Sequence, residues 1–290
     1  MTKRAICVGI NDYSARNDCH NLGDARQDGE AFAALLPDAF GFDPGDVTLL
    51  TDGKATRQAV LAELGAMLKK SIAGDVACLF FAGHGGRGPA GDGSTYYESI
   101  CCADAGGDIT DAEINAMAAA LEPSIVNFTL VLDSCHSGGV FDPPEPATRT
   151  QIWTSDQADQ FAQSCTAIVP HVLLSEISCM AGNVGSISKD GGSRLSMTVN
   201  EDLNFSDQAK ATLLAACRYN ENASSTGKHG YFTQSMLDVV NQSGFQVGYP
   251  EFLTKLRKAV ASYSSKQTPQ LRGRPVRLEE NFLESWNYSI

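Results

Sequence analysis

The sequence predicts an α/β fold in which a mostly parallel central sheet is flanked by helices. Short apolar runs of β type alternate with longer stretches of helical period, the pattern of parallel strands joined by crossover helices. Two of the apolar runs, CLFF and TLVL, end in the Gly-flanked polar groups AGHGG and DSCHSGG. The composition, 43% apolar and 19% charged over 290 residues, is that of a globular chain able to bury a substantial core.

In chain order, residues 5–10 read as the first strand and residues 22–36 as a helix. A strand over 47–50, a helix over 57–69 and an uninterrupted apolar strand over 76–82 follow. A helix over 111–121, capped by Thr110 or Asp111, precedes a strand over 126–132. Pro143-Pro144-Glu145-Pro146 then stops regular structure, and residues 143–208 read as an irregular linker or insertion with a short helix over 157–169 and a loop over 182–192. Patterning resumes with a strand over 211–217 and helices over 231–240 and 249–263, which complete the same sheet.

The net charge of -12 excludes the counterion-releasing attraction on which nonspecific nucleic-acid binding depends. The first residues move straight from two basic side chains into a short apolar run, with no signal-peptide pattern, and no stretch approaches the ~20 apolar residues of a membrane helix. A cytoplasmic location is expected. Nine cysteines without a CxxC pair fit reduced thiols, and Cys7, Cys78, Cys165, Cys179 and Cys217 read as small buried hydrophobes. Neither zinc-ligand spacing nor HExxH is present, which argues against a metal-dependent hydrolase.

The chemistry-bearing residues stand at strand ends. His84 follows one apolar run and Cys135 another, where the loops of a parallel sheet converge. A thiolate, an imidazole that moves protons and amide donors for a developing oxyanion suffice for acyl transfer. Cys135 is the candidate nucleophile and His84 the candidate base; the amides of Gly85 and Cys135 are the candidate oxyanion donors. His136 reads as structural, and His20, His171 and His229 have no comparable motif context.

These segments resemble the caspase and metacaspase superfamily of cysteine peptidases, peptidase family C14, in its bacterial orthocaspase-like branch. VGINDY (8–13), AGHG (82–85) and DSCHSGG (133–139) carry the resemblance, and LLAACRYNENASS, HGYFTQSML and QTPQLRG extend it over most of the chain outside 143–208. His84 precedes Cys135 by 51 residues (135 minus 84), in keeping with a caspase spacing of about 50. The resemblance implies a caspase-like three-layer sandwich, with a p20-like catalytic portion over 1–142, the linker over 143–208 and a p10-like portion over 209–290.

The implied activity is a cysteine endopeptidase acting on protein or peptide substrates through a thioester, with no cofactor required for the chemistry. DSCHSG departs from the QAC-x-G of animal caspases, and Asp133 and Asp28 match the acids with which metacaspases hold Arg or Lys at P1. Relatives often bind an activating Ca²⁺. Asp104, Asp111 and Asp142 stand at matching positions, with Asp108 as a further donor and Ala112 where many relatives have a second Asp. Cleavage after basic residues makes Arg149, Lys189, Arg194 and Lys210 candidate self-cleavage sites. The resemblance also implies a monomer. A non-catalytic scaffold of the same fold and a protease with acidic P1 preference are the alternatives.

Overall fold

The computed structural model describes residues 1–89, 96–119, 121, 126–134, 150–152, 211–218, 221–243 and 246–284. Its centre is a six-stranded sheet in the order β10-β9-β7-β3-β1-β2. The strands are β1 (Lys3–Gly9), β2 (Val47–Thr51), β3 (Val76–Ala82), β7 (Asn127–Asp133), β9 (Thr212–Ala215) and β10 (Gln270–Arg272). All neighbours in it run parallel except β10, which is antiparallel to β9. The expected mostly parallel three-layer sandwich is therefore the observed one.

Period-2 alternation divides the core between the two sheet faces. Cys7, Cys78, Phe80 and Val131 face α1 (Ala25–Phe40), α4 (Tyr231–Ser243) and α5 (Tyr249–Tyr263), against Phe32, Leu36, Phe232, Met236, Phe252 and Leu256. Val8, Leu79, Phe81 and Leu130 face the opposite way, against Val60, Leu64 and Met67 of α2 (Arg57–Lys70) and Ile114 of α3 (Asp111–Ala119). Phe32 and Phe80 stack with centroids 4.3 Å apart. No helix among the described residues is long and apolar enough to cross a membrane.

Both ends of α1 differ from expectation for local reasons. Residues 22–24 stay outside α1 because Leu22 N–H bonds the Asn11 carbonyl, and the Asn11 side chain accepts from Arg26 N–H, so the helix begins three residues late. At its other end α1 runs through Pro37 to Phe40 and closes when Gly41 N–H returns to the Pro37 carbonyl. Thr110, not Asp111, caps α3: its hydroxyl accepts from Glu113 N–H while the Glu113 carboxylate accepts from Thr110 N–H, a reciprocal capping box.

A second sheet, β6-β5-β4-β8, was not legible as strands. It comprises β4 (Gly85–Pro89), β5 (Tyr96–Ile100), β6 (Ile109–Thr110) and β8 (Thr150–Ile152). β4 is GGRGP, without the alternating side chains that mark a strand, and its pairing with β5 and β8 alone orders it. β8 lies within the stretch read as irregular linker. The rest of 143–208, including the expected short helix, lies outside the described residues.

α1 seats against β1 through two glycines. A Cβ on Gly9 would lie 2.6 Å from the Ala25 carbonyl oxygen, and one on Gly29 would lie 2.9 Å from Gly9 N. This approach fixes the height of α1 over the carboxyl end of the sheet. The core itself is tightly filled, so Phe80→Ala is expected to lower unfolding free energy by about 3–5 kcal/mol, measured by urea denaturation.

Candidate active site

The motif residues lie at the carboxyl edge of the central sheet. β3 and β7 pair from Val76↔Asn127 to Ala82↔Asp133, so the two motifs leave neighbouring strands level with one another. Gly83 N–H extends the contact to the Asp133 carbonyl at 3.4 Å. His84 and Cys135 each follow the last paired residue by two positions. Cys135 lies outside the described residues, as do Asp142, Arg149, Lys189, Arg194 and Lys210.

His84 is buried and held on three sides. Its Nε2 lies 2.8 Å from the His20 carbonyl oxygen. A carbonyl only accepts, so Nε2 carries the hydrogen and the lone pair of the neutral ring is on Nδ1. The rings of His20 and Tyr13 pack at 4.6 and 4.8 Å from the imidazole. Tyr13 also completes a backbone ladder: His84 N–H donates to its hydroxyl (2.9 Å), which donates to the Cys101 carbonyl (3.3 Å), while Cys101 N–H donates to the His84 carbonyl (2.9 Å). Burial pushes the Tyr13 pKa well above the usual phenol value, so the hydroxyl keeps the proton it donates. Gly83 makes room, because a Cβ there would lie 2.5 Å from the hydroxyl.

The segment carrying Tyr13 and His20 is clamped by Arg16. Its guanidinium bonds Asp18 through two nitrogens (2.8 Å each), Asp108 at 2.6 Å and the Cys102 carbonyl at 3.1 Å. Burial, then the nearby Asp108 charge, raises the Cys102 pKa well above the thiol range, and Cys101 is raised chiefly by burial as well. These two thiols are packing groups rather than rival nucleophiles. Burial has the same effect on Cys7 and Cys78, as their reading as small hydrophobes requires. Gly85 opens β4 between Ile100 of β5 and Thr150 of β8.

Asp28 and Asp133 come from different elements and meet at one peptide. Asp28 is fully buried on α1, and its carboxylate accepts from Gly230 N–H (3.1 and 3.3 Å) and from His229 Nδ1 (2.8 Å). α4 and the turn before it cover Asp28 on this face of α1. Asp133 Oδ2 accepts from Thr233 N–H (3.2 Å) and its hydroxyl (2.6 Å). A Cβ on Gly230 would lie 2.3 Å from that same oxygen. Two buried carboxylates thus flank Gly230, and a third, Asp24, is buried at the head of α1.

Of the aspartates considered for calcium, Asp104 and Asp108 have hydrogen-bond partners within the fold. Asp104 Oδ1 accepts from Arg57 N–H at the start of α2, and Asp108 is neutralised by Arg16 and bonded by Ser99. Asp111 begins α3. Among the described residues, no group of three or more His, Cys, Asp or Glu side chains is arranged to hold a metal ion.

A family model of the caspase domain, peptidase C14, matches residues 2–278. This chain belongs to the caspase-domain family. The caspase domain is 25% identical over 289 residues to Metacaspase-1 of Schizosaccharomyces pombe, covering 93% of this chain and 66% of that one. It is 33% identical over 155 residues to Metacaspase-1 of Arabidopsis thaliana (49% and 41% covered) and 28% over 200 residues to Metacaspase-1A of Neurospora crassa (64% and 43% covered). The chain thus spans less than two thirds of the length of these curated relatives, at most 66%. A crystal structure of a Geobacter sulfurreducens protein superposes with a TM-score of 0.67 at 21% identity, covering 99% of this chain and all of that one, which shows the shared fold.

The sequence alone does not mark Tyr13 as a partner of His84, and it gives His20 and His229 no role at the site. Tyr13 ends the VGINDY motif and His229 opens the HGYFTQSML segment, which were usable signals; His20 lies in neither. Tyr13→Phe is expected to leave the buried His84 N–H and Cys101 carbonyl unbridged and to cost about 1–3 kcal/mol, read from denaturant midpoints. Gly230→Ala forces Cβ onto the Asp133 carboxylate, and a Tm lowered by several degrees is the expected result in a thermal melt.

Proposed function

We propose that this caspase domain is a cysteine endopeptidase that cleaves after Arg or Lys, with Cys135 as nucleophile and His84 as base. The observation that carries the reading is the 2.8 Å contact of His84 Nε2 with the His20 carbonyl at the end of β3, level with the start of the DSCHSGG segment, which turns Nε2 into the donor and leaves Nδ1 for proton transfer. A neutral imidazole with its lone pair on Nδ1 is the form that can accept a thiol proton.

In this mechanism Nδ1 takes the Cys135 proton and the thiolate attacks the scissile carbonyl. The amides of Gly85 and Cys135 stabilise the resulting oxyanion. His84 then returns the proton to the departing amine, leaving a thioester. Water, deprotonated by the same ring, attacks that thioester and releases the acid and the free thiol. Tyr13 and the His20 carbonyl act through His84, as positioning groups.

A basic P1 preference is supported by the buried carboxylates of Asp28 and Asp133 on either side of Gly230. Buried acids attract a cation and reject a P1 carboxylate. The same preference would allow self-cleavage at Arg149, Lys189, Arg194 or Lys210.

Fluorogenic peptides with P1 Arg, Lys or Asp, assayed with and without Ca²⁺, test the reading. Turnover of the Arg and Lys peptides only, lost by at least ~10³-fold in Cys135→Ala, is expected. Asp133→Asn should lower kcat/KM for the Arg peptide by at least about tenfold. Equal cleavage by Cys135→Ala would remove that thiol from the mechanism, and preference for Asp would overturn the assigned acids. A gel on which wild type and Cys135→Ala show the same single band rejects self-cleavage.

A further inference from the structure

The loop after β1 presents His20 outward beside the candidate base. Cys19 and Leu22, on either side of it, pack against the apolar cluster that holds Val8 and Phe81, while the His20 side chain is exposed. The loop backbone is tied down around it. Leu22 N–H donates to the Asn11 carbonyl (2.8 Å) and Tyr13 N–H to Asn21 Oδ1 (2.8 Å). Arg16 joins the same loop to Asp18, Asp108 and the Cys102 carbonyl. His20 is therefore in place before any substrate arrives, and its ring costs little to order on binding.

Among the described residues, two rings pack on the His84 imidazole. Tyr13, at 4.8 Å, is fully buried; His20, at 4.6 Å, is exposed and meets the imidazole edge to face, with 71° between the ring planes. In acyl transfer by the dyad the imidazole gives its proton to the departing amine, so the residue on the leaving-group side of the scissile bond must come up against the surroundings of this ring. Tyr13 is out of its reach. His20 is the ring neighbour that a side chain arriving from solvent can touch, and its edge-to-face contact with His84 leaves aromatic surface open to a second ring.

We propose that His20 is a specificity-determining residue of the S1′ subsite and that its ring takes an aromatic side chain at P1′, an inference that rests on the endopeptidase reading above. The preferred bond then lies between a basic residue and Phe, Tyr or Trp. His20 acts through two separate groups. Its carbonyl orients His84 whatever the side chain, and its ring reads the leaving group, so replacing the ring keeps the carbonyl that holds Nε2. Contact between two aromatic rings adds about three- to tenfold in kcat/KM beyond what shared apolar area supplies.

The test uses peptides quenched across the scissile bond, with Arg at P1 and either Phe or Leu at P1′, two large apolar side chains of which one is aromatic. Binding at P1 and the chemistry of the dyad affect both peptides and cancel in the ratio of their kcat/KM values. The wild type is expected to favour Phe, and in His20→Ala the Phe-to-Leu ratio is expected to fall by about three- to tenfold. In His20→Phe, which keeps a ring at the position, the ratio is expected to hold. A wild type that does not favour Phe, a His20→Ala ratio equal to that of the wild type, or an equal fall in His20→Phe overturns the S1′ assignment while the endopeptidase reading stands. Cleavage of neither peptide by the wild type overturns that reading and the assignment with it.

Discussion

Strands β3 and β7 are buried along their whole length, with mostly apolar side chains on both faces and all seven residues of each strand paired in register. A polar side chain in their middle needs an internal partner, as Thr129 of β7 has in Tyr249, so groups that must meet solvent or substrate belong where the strands end. Parallel pairing makes both ends emerge on the same edge and at the same height. The candidate dyad, the Asp133 carboxylate and the His20 carbonyl all depend on that one register. A slip of one residue would turn Asp133 to the opposite face and carry the His motif away from the Cys motif.

The elements around this edge serve mainly to hold rings and carboxylates in place. The Gly9–Gly29 approach brings α1 low enough for Asp28 to reach the Gly230 peptide, and α4 presents Thr233 to Asp133. Arg16 ties the loop after β1 to the segment after β5, so that the His20 carbonyl and the Tyr13 hydroxyl bracket His84. The C-terminal motifs dock in the same manner: Glu221 accepts from Thr268 through backbone and hydroxyl, and Gln267 bonds the Ala216 carbonyl. Segments that resemble the family are thus the ones whose side chains bond across the fold.

Charge at the edge is arranged with little solvent to screen it. Asp108 is matched by Arg16, whereas Asp28 is held by hydrogen bonds from His229 Nδ1 and Gly230 N–H. A guanidinium gives permanent neutralisation and suits a structural clamp.

The alternation of apolar runs and helical periods, read locally, determined the central sheet, its flanking helices and the strand-end positions of His84 and Cys135. Those features depend on burial and period, which a chain displays residue by residue. The tertiary structure decided the rest. Gly-rich β4 becomes a strand only through its neighbours, since its own side chains carry no period. Asp28, on a helix face that could have been exposed, is buried because α4 and its preceding turn cover it. His229 lies 201 residues from Asp28, and nothing in the local pattern of either marks the other. Such a contact exists only after the sheet has set the height of the helices that carry it.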